Sequence, residues 1–200
     1  MYPHKKKFDT RTPKVKFVVS VEGGVTEKEY FERIGKLFYK TVILDVPKDV
    51  NKSSPNAVLG RMDGYRKSLK SGDQLWCVID LDRWQKHLSL FDEWVKKAKN
   101  GIPRHLGLSN PKIELWILWH LMEWDPAAKK VPGILKSLLK QMPGYDKHLD
   151  VKKITIESVQ QAVSRGKRIT PDGKPPLAVK GSNLWVLLDA ILQCNQIGVG

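Results

Sequence analysis

The sequence is poor in cysteine, short of acids and free of any long apolar run. Of its 200 residues only Cys77 and Cys194 are cysteines, one mid-strand by pattern and one late in a helical stretch. Neither belongs to a CxxC unit, so a disulfide scaffold is not expected and a reducing cytoplasm is. The longest apolar run, around Leu115 to Met122, is interrupted by His120 and falls short of the roughly 20 residues a membrane span requires. No apolar stretch follows Lys5, Lys6 and Lys7, so the expectation is a soluble cytoplasmic protein with neither secretory signal nor membrane partner. There is no GxxxxGK[ST] run, which excludes a P-loop ATPase. His4, His87, His105, His120 and His148 form no HExxH and no zinc-like spacing, and Ser20 is in no GxSxG elbow.

Acids are scarce relative to bases: 21 Asp and Glu stand against 35 Lys and Arg, a formal net charge of +14. Folding does not call for such an excess. It implies an acidic partner, most commonly nucleic acid, although an anionic membrane, an acidic protein or a merely solvated basic surface also accounts for it. The 41% hydrophobic content suits one globular domain with room for a small helical annex.

Periodicity divides the chain into three parts. Residues 1–13 read as a basic, flexible arm. Residues 14–124 read as an α/β domain in the order βαβαβαβα, hence a mainly parallel sheet flanked by helices. Residues 125–200 read as a helical C-terminal extension packed on the same domain. The first strand, Val15 to Val21, is almost wholly apolar, as in a sheet covered on both faces. Thr26 and Glu29 have capping-box spacing before a helix whose stripe is Tyr30, Phe31, Ile34, Leu37 and Phe38. Further strands are expected at Thr41 to Val46, at Leu75 to Asp82 and at His105 to Leu108, with helices from Ser54-Pro55 to Leu69 and from His87 to Lys99. Asn110 reads as the N-cap of a helix opened by Pro111. Later helices are expected near residues 127–141, 156–164 and 183–193, with a long Pro- and Lys-rich loop from Arg165 to Gly181.

Three acids stand at strand ends: Glu22 after Val18-Val19-Ser20-Val21, and Asp80 and Asp82 after Trp76-Cys77-Val78-Ile79. Residues i and i+2 of a strand share a face, which would set Asp80 and Asp82 about 7 Å apart. Carboxylates so placed repel unless a cation lies between them, and Mg²⁺ (or Mn²⁺) takes one or two carboxylates with water and phosphate oxygens. The same DxD also serves as a helix cap or a turn. Open α/β sheets bind ligands beyond the carboxyl ends of their strands, which favours a metal-assisted phosphate site. The Thr or Val that aspartyl phosphatases of the haloacid dehalogenase type require after the second Asp is missing; Arg83-Trp84 follows instead.

Glu114 joins Ile117, Leu118 and Leu121 in an i, i+3, i+4, i+7 stripe, so its helix would bury a carboxylate that needs a partner. It is either a hydrogen-bonded core glutamate near the helix N-terminus or, with Asn110, an edge of the acidic pocket. Of seven Trp residues most belong to the core by spacing; Trp84, beside Arg83, is the candidate for stacking on a base. Lys147 and the basic stretch with Arg165, Lys167 and Arg168 are candidates for phosphate contacts, or the stretch is a solvated linker.

The segments Val21-Glu22-Gly23-Gly24-Val25-Thr26-Glu27-Lys28-Glu29-Tyr30-Phe31, Val78-Ile79-Asp80-Leu81-Asp82 and Ser109-Asn110-Pro111-Lys112-Ile113-Glu114-Leu115-Trp116-Ile117-Leu118-Trp119-His120 resemble the RloB-like family in order and across nearly the whole chain. Ile113 stands where the family often has Phe, and Gly24-Val25 where a charged residue is more usual; neither touches a carboxylate. The resemblance implies a Toprim-type α/β domain with a nuclease-like centre. Within it, Glu22 would be general acid/base or metal ligand, and Asp80 and Asp82 would be Mg²⁺ ligands. It also implies a role in prokaryotic anti-phage defence, often beside a separately encoded AAA-type ATPase. The expectation is therefore a Mg²⁺-dependent nuclease acting on DNA or RNA phosphodiesters, with a homo-oligomer compatible. The alternative is a non-catalytic nucleic-acid-binding or regulatory subunit.

Overall fold

The computed structural model describes residues 14–48, 54–65, 67–98, 101–127, 133–176 and 178–197; the basic arm expected over 1–13 lies outside them. Five strands form one sheet: β1 (Val15–Val21), β2 (Val42–Asp45), β3 (Gln74–Asp80), β4 (Arg104–Asn110) and the short β5 (Gly181–Ser182). Their spatial order is β2-β1-β3-β4-β5, parallel throughout except for the antiparallel β5. The mixed α/β class with a mainly parallel sheet is thus as the periodicity implies.

Alternation along the strands sorts the core into two layers. Phe17, Val19 and Val21 of β1 and Trp76 and Val78 of β3 face α1 (Thr26–Leu37), α5 (Ile113–Leu121), α7 (Ile156–Ile169) and α8 (Leu184–Ile197). Val18 of β1 and Leu75, Cys77 and Ile79 of β3 face α2 (Pro55–Gly60) and α4 (Leu88–Lys96). The chain leaves β1 on one face and β3 on the other. The strand order therefore reverses between β1 and β3, the point where open sheets of this kind leave a crevice.

The helices differ from the sequence reading where tertiary contacts outweigh local pattern. The helix after Ser54 ends at Gly60 instead of Leu69, and a 3₁₀ turn follows at Asp63–Tyr65. Gly60 and Gly64 weaken its continuation. No capping box opens α1: Thr26 Oγ1 donates to the Lys147 carbonyl at 2.7 Å, and Glu29 accepts from the Leu149 amide at 2.8 Å. A capping box does open α7, between Thr155 and Ser158. Residues 128–132 of the helix expected from 127 lie outside the described residues; α6 spans Ile134–Gln141. The remaining helix, α3, is a single turn at Leu81–Trp84. At the α7–α8 crossing a Cβ on Gly166 would come within 2.7 Å of the Trp185 side chain, so only glycine allows that approach. No helix among the described residues is long and apolar enough to cross a membrane.

Candidate active site

The carboxyl ends of β1, β3 and β4 converge on the crevice between β1 and β3. Glu22 follows β1 directly and is 4% exposed. Burial pushes its carboxyl above the usual range. Trp84 Nε1 donates to one oxygen and the Arg83 guanidinium lies 2.7 Å from the other; both pull the value back, while Asp82 pushes it up. Arg61 stands behind, donating to the Val21 carbonyl at 2.7 Å.

Asp80, the last residue of β3, has the parity of Trp76 and Val78 and so turns toward α5. There its Oδ1 accepts from the Ile113 amide at 2.9 Å, capping a helix that begins far away in sequence. Burial first, and then the charges of Glu27, Glu22 and Glu114, raise its pKa from an ordinary 3.8 to about 9; the Ile113 amide offsets only part of this.

Asp82 does not share a strand face with Asp80. The backbone turns helical at Leu81, which puts Asp82 in the first turn of α3, where it is paired with Lys112 at 3.2 Å. Its amide donates to the Pro111 carbonyl at 3.3 Å, a bond that helps hold the turn.

Glu27 is the acid that strand-end reasoning misses. It is 9% exposed, accepts from the Gly23 amide at 3.2 Å, and is pushed upward in pKa by burial and by Glu22 and Glu114. The helix phase signals it, because Glu27 stands i−3, i−4 and i−7 from buried Tyr30, Phe31 and Ile34. A Cβ on Gly23 would lie 2.3 Å from Glu27 Oε2, so the glycine leaves that space to the carboxylate. Glu114 is half-buried in the first turn of α5, as its phase implies, and accepts from the Tyr145 hydroxyl at 3.1 Å. That hydroxyl also lies 3.2 Å from Thr26 Oγ1. Together with the bond from Thr26 to Lys147, these contacts hang residues 145–147 beside the acids. Lys147 is exposed and adopts φ 88°, the left-handed region that non-glycine residues rarely occupy. Such conformations cost on the order of 1–3 kcal/mol and cluster at ligand sites.

Other expected site residues sit elsewhere. Asn110 is not an N-cap: Lys112 holds that position, and Asn110 ends β4, donating to the carbonyls of Pro176 and Val179 at 2.9 Å. It clasps a loop to the sheet. Arg165, Lys167 and Arg168 are not in a loop but in the last turns of α7, whose amphipathic pattern carries through them. Arg165 and Arg168 both pair with Glu123, Arg165 also donates to the Trp119 carbonyl, and Lys167 pairs with Asp189 at 2.8 Å. Trp119 lies about 7.5 Å along α5 from Glu114, and Glu123 lies just past the far end of that helix. Trp84 is 5% exposed, packed edge-on against Phe91, so its face is not open to a base.

Grouped carboxylates that outnumber the cations paired with them are the chemistry of a hard-metal site. Among the described residues no three His, Cys, Asp or Glu side chains are grouped as a ready cage. Mg²⁺ seldom uses one, taking one or two carboxylates with water and phosphate oxygens. Asp80 and Glu22 supply hard donors, Glu27 and Glu114 deepen the negative field, and Arg83 and Lys112 supply cations around it.

The family model described as RloB-like protein matches residues 17–191, from within β1 to within α8. No curated protein and no solved structure matches the chain.

Proposed function

The chain belongs to the RloB-like family, and we propose that it is a Mg²⁺-dependent nuclease of Toprim type, cutting DNA or RNA phosphodiesters. The observation that carries this reading is the gathering of acids at the carboxyl ends of β1 and β3. Asp80 is half-buried beside Glu22, Glu27 and Glu114, where desolvation together with their charges raises its pKa to about 9, a set that a divalent cation would relieve. Asp80 and Glu22 would hold Mg²⁺ or Mn²⁺, with Asp82 reaching it once freed from Lys112. Bound there, the ion polarises a phosphoryl oxygen and neutralises developing charge.

The chain's own groups supply the rest. Glu22 is held by Trp84 and Arg83 in one orientation, and its raised pKa brings it nearer the range in which a carboxyl exchanges a proton with water. Lys112, whose ammonium is strengthened by Asp82, and the exposed Lys147 stand where a phosphodiester would enter. The bond from Thr26 to the Lys147 carbonyl and the tether from Tyr145 to Glu114 hold the backbone that carries this lysine. The biological setting that accompanies this reading is prokaryotic anti-phage defence beside a separately encoded AAA-type ATPase.

Purified protein should cut DNA or RNA in Mg²⁺, stop in EDTA, and lose cleavage in Glu22→Gln and Asp80→Asn while remaining folded. Cleavage that persists in EDTA or in both variants would sink the assignment. The non-catalytic alternative, a nucleic-acid-binding or regulatory subunit, draws on one observation: both acids already have protein donors, Glu22 from Trp84 and Arg83 and Asp80 from Ile113. Metal-independent binding to nucleic acid without cleavage by the wild type would favour it.

A further inference from the structure

β2 ends the sheet, with no strand on its outer side among the described residues. Beside it, α1 leaves an open groove of about 570 Å³. The floor is aliphatic, made by Val42, Ile43, Leu44 and Val46, and Ile43 is 48% exposed. The rim is basic: Lys14, Lys28, Lys36 and Lys48 stand against Glu32 alone. Lys28 reaches Glu32 only at 3.9 Å, and Lys36 and Lys48 pair with no acid among the described residues.

Charge limits what can lie there. A second copy docking in the groove would bring its own basic rim against these lysines, and charges that flank an exposed edge oppose self-pairing. Residues 1–13 carry Lys5, Lys6, Lys7 and Arg11 against Asp9, so this arm is repelled as well. A nucleic-acid strand would satisfy the lysines but not the aliphatic floor, since bases stack on aromatic faces and only Tyr39 offers one. An extended peptide satisfies both. Added to a sheet edge next to a helix, it gains main-chain hydrogen bonds from the strand and buries alternate side chains. Lys28 and Lys36 are two turns apart on α1, about 12 Å. Acids at i and i+4 of a strand are separated by about 13 Å and lie on one face.

We infer that the groove between α1 and β2 docks an acidic, extended segment of a partner protein, alternating acids with aliphatic residues and pairing with β2 as an added strand. This site lies beyond the crevice acids and does not depend on their chemistry.

The test uses the full chain, ¹⁵N-labelled, with three probes. They are a pool of heptapeptides alternating Asp or Glu with Val or Ile, a matching pool with Lys or Arg for the acids, and a short single-stranded oligonucleotide. The acidic pool alone should shift the amides of Val42 to Val46 and slow their hydrogen exchange. Lys28→Glu/Lys36→Glu/Lys48→Glu should weaken that binding by about tenfold or more and admit the basic pool. Ile43→Ser should weaken binding without changing which pool is preferred; unchanged far-UV dichroism checks that each variant is folded. The proposal is overturned if the acidic pool at millimolar concentration leaves these amides unmoved, or if both pools act equally. It is also overturned if the oligonucleotide shifts the same amides and displaces the acidic pool, which would make the groove a phosphate track.

Discussion

Replacing Asp80 by Asn removes a carboxyl whose ionisation the crevice opposes while keeping its side-chain bond to Ile113. The amide oxygen of Asn can still accept from the Ile113 N–H, and its NH₂ faces Glu27, Glu22 and Glu114 as a donor. The sign follows from linkage. The folded pKa of Asp80 is about 9 and its ordinary value 3.8, so between these the folded protein holds a proton that the unfolded chain gives up. The wild type therefore loses stability as pH rises through this window, and the group's contribution is fully present only below about pH 4. At pH 7 the distance from 3.8, at about 1.36 kcal/mol per pH unit, sets a ceiling of about 4 kcal/mol. Water in the crevice screens part of that, leaving a gain of about 1–3 kcal/mol for Asp80→Asn in EDTA. For a chain of this length that is a rise in Tm of about 3–10 °C. Urea or thermal unfolding at pH 5, 7 and 9 reads it directly, with a gain that should shrink toward pH 5. With Mg²⁺ at about 100 times its Kd the wild type should gain about 2.7 kcal/mol and the variant little. An Asp80→Asn protein less stable than wild type at pH 7 in EDTA would refute the electrostatic account. A wild type indifferent to Mg²⁺ and Mn²⁺ would refute the metal reading.

Three further outcomes are expected. His120 is buried between Tyr30 and Ser158, and desolvation with the nearby Arg165 charge lowers its pKa from 6.5 to about 3. Its contribution is present above about pH 6.5 and lost as pH falls toward 3, so His120→Gln should flatten the acid limb of stability against pH; an unchanged limb would place the titration elsewhere. Arg165→Ala should cost about 1–3 kcal/mol by leaving the Trp119 carbonyl without the guanidinium donor and Glu123 with Arg168 alone, and should leave the salt dependence of nucleic-acid binding unaltered. A neutral stability effect with a flatter salt slope would restore Arg165 as a phosphate contact. Thr26→Val should cost about 1–2 kcal/mol and raise the exchange rate of the 145–149 amides, because the bond to the Lys147 carbonyl is lost; unchanged exchange would mean that segment is held by other contacts.

Features that depend on neighbours a few residues apart are legible in the amino-acid order alone. Apolar continuity defines β1 at Val15–Val21, and the 3.6-residue period places Tyr30, Phe31 and Ile34 inward on α1 and Glu114 partly inward on α5. Alternating elements imply the parallel sheet, and a parallel sheet brings the ends of β1 and β3, with Glu22 and Asp80, to one edge. Tertiary structure decided what those acids meet. The Asp80 cap on Ile113, the Trp84 and Arg83 hold on Glu22 and the Tyr145 tether to Glu114 all join residues from separate elements. The same long-range approach drew Asp82 into a helical turn, took Thr26 and Glu29 out of a capping box, and paired Arg165 and Arg168 with Glu123. Local propensities differ by tenths of a kcal/mol, whereas leaving a buried polar group unpaired costs about 1–3 kcal/mol, so the packed chain settles each of these positions by its distant partner.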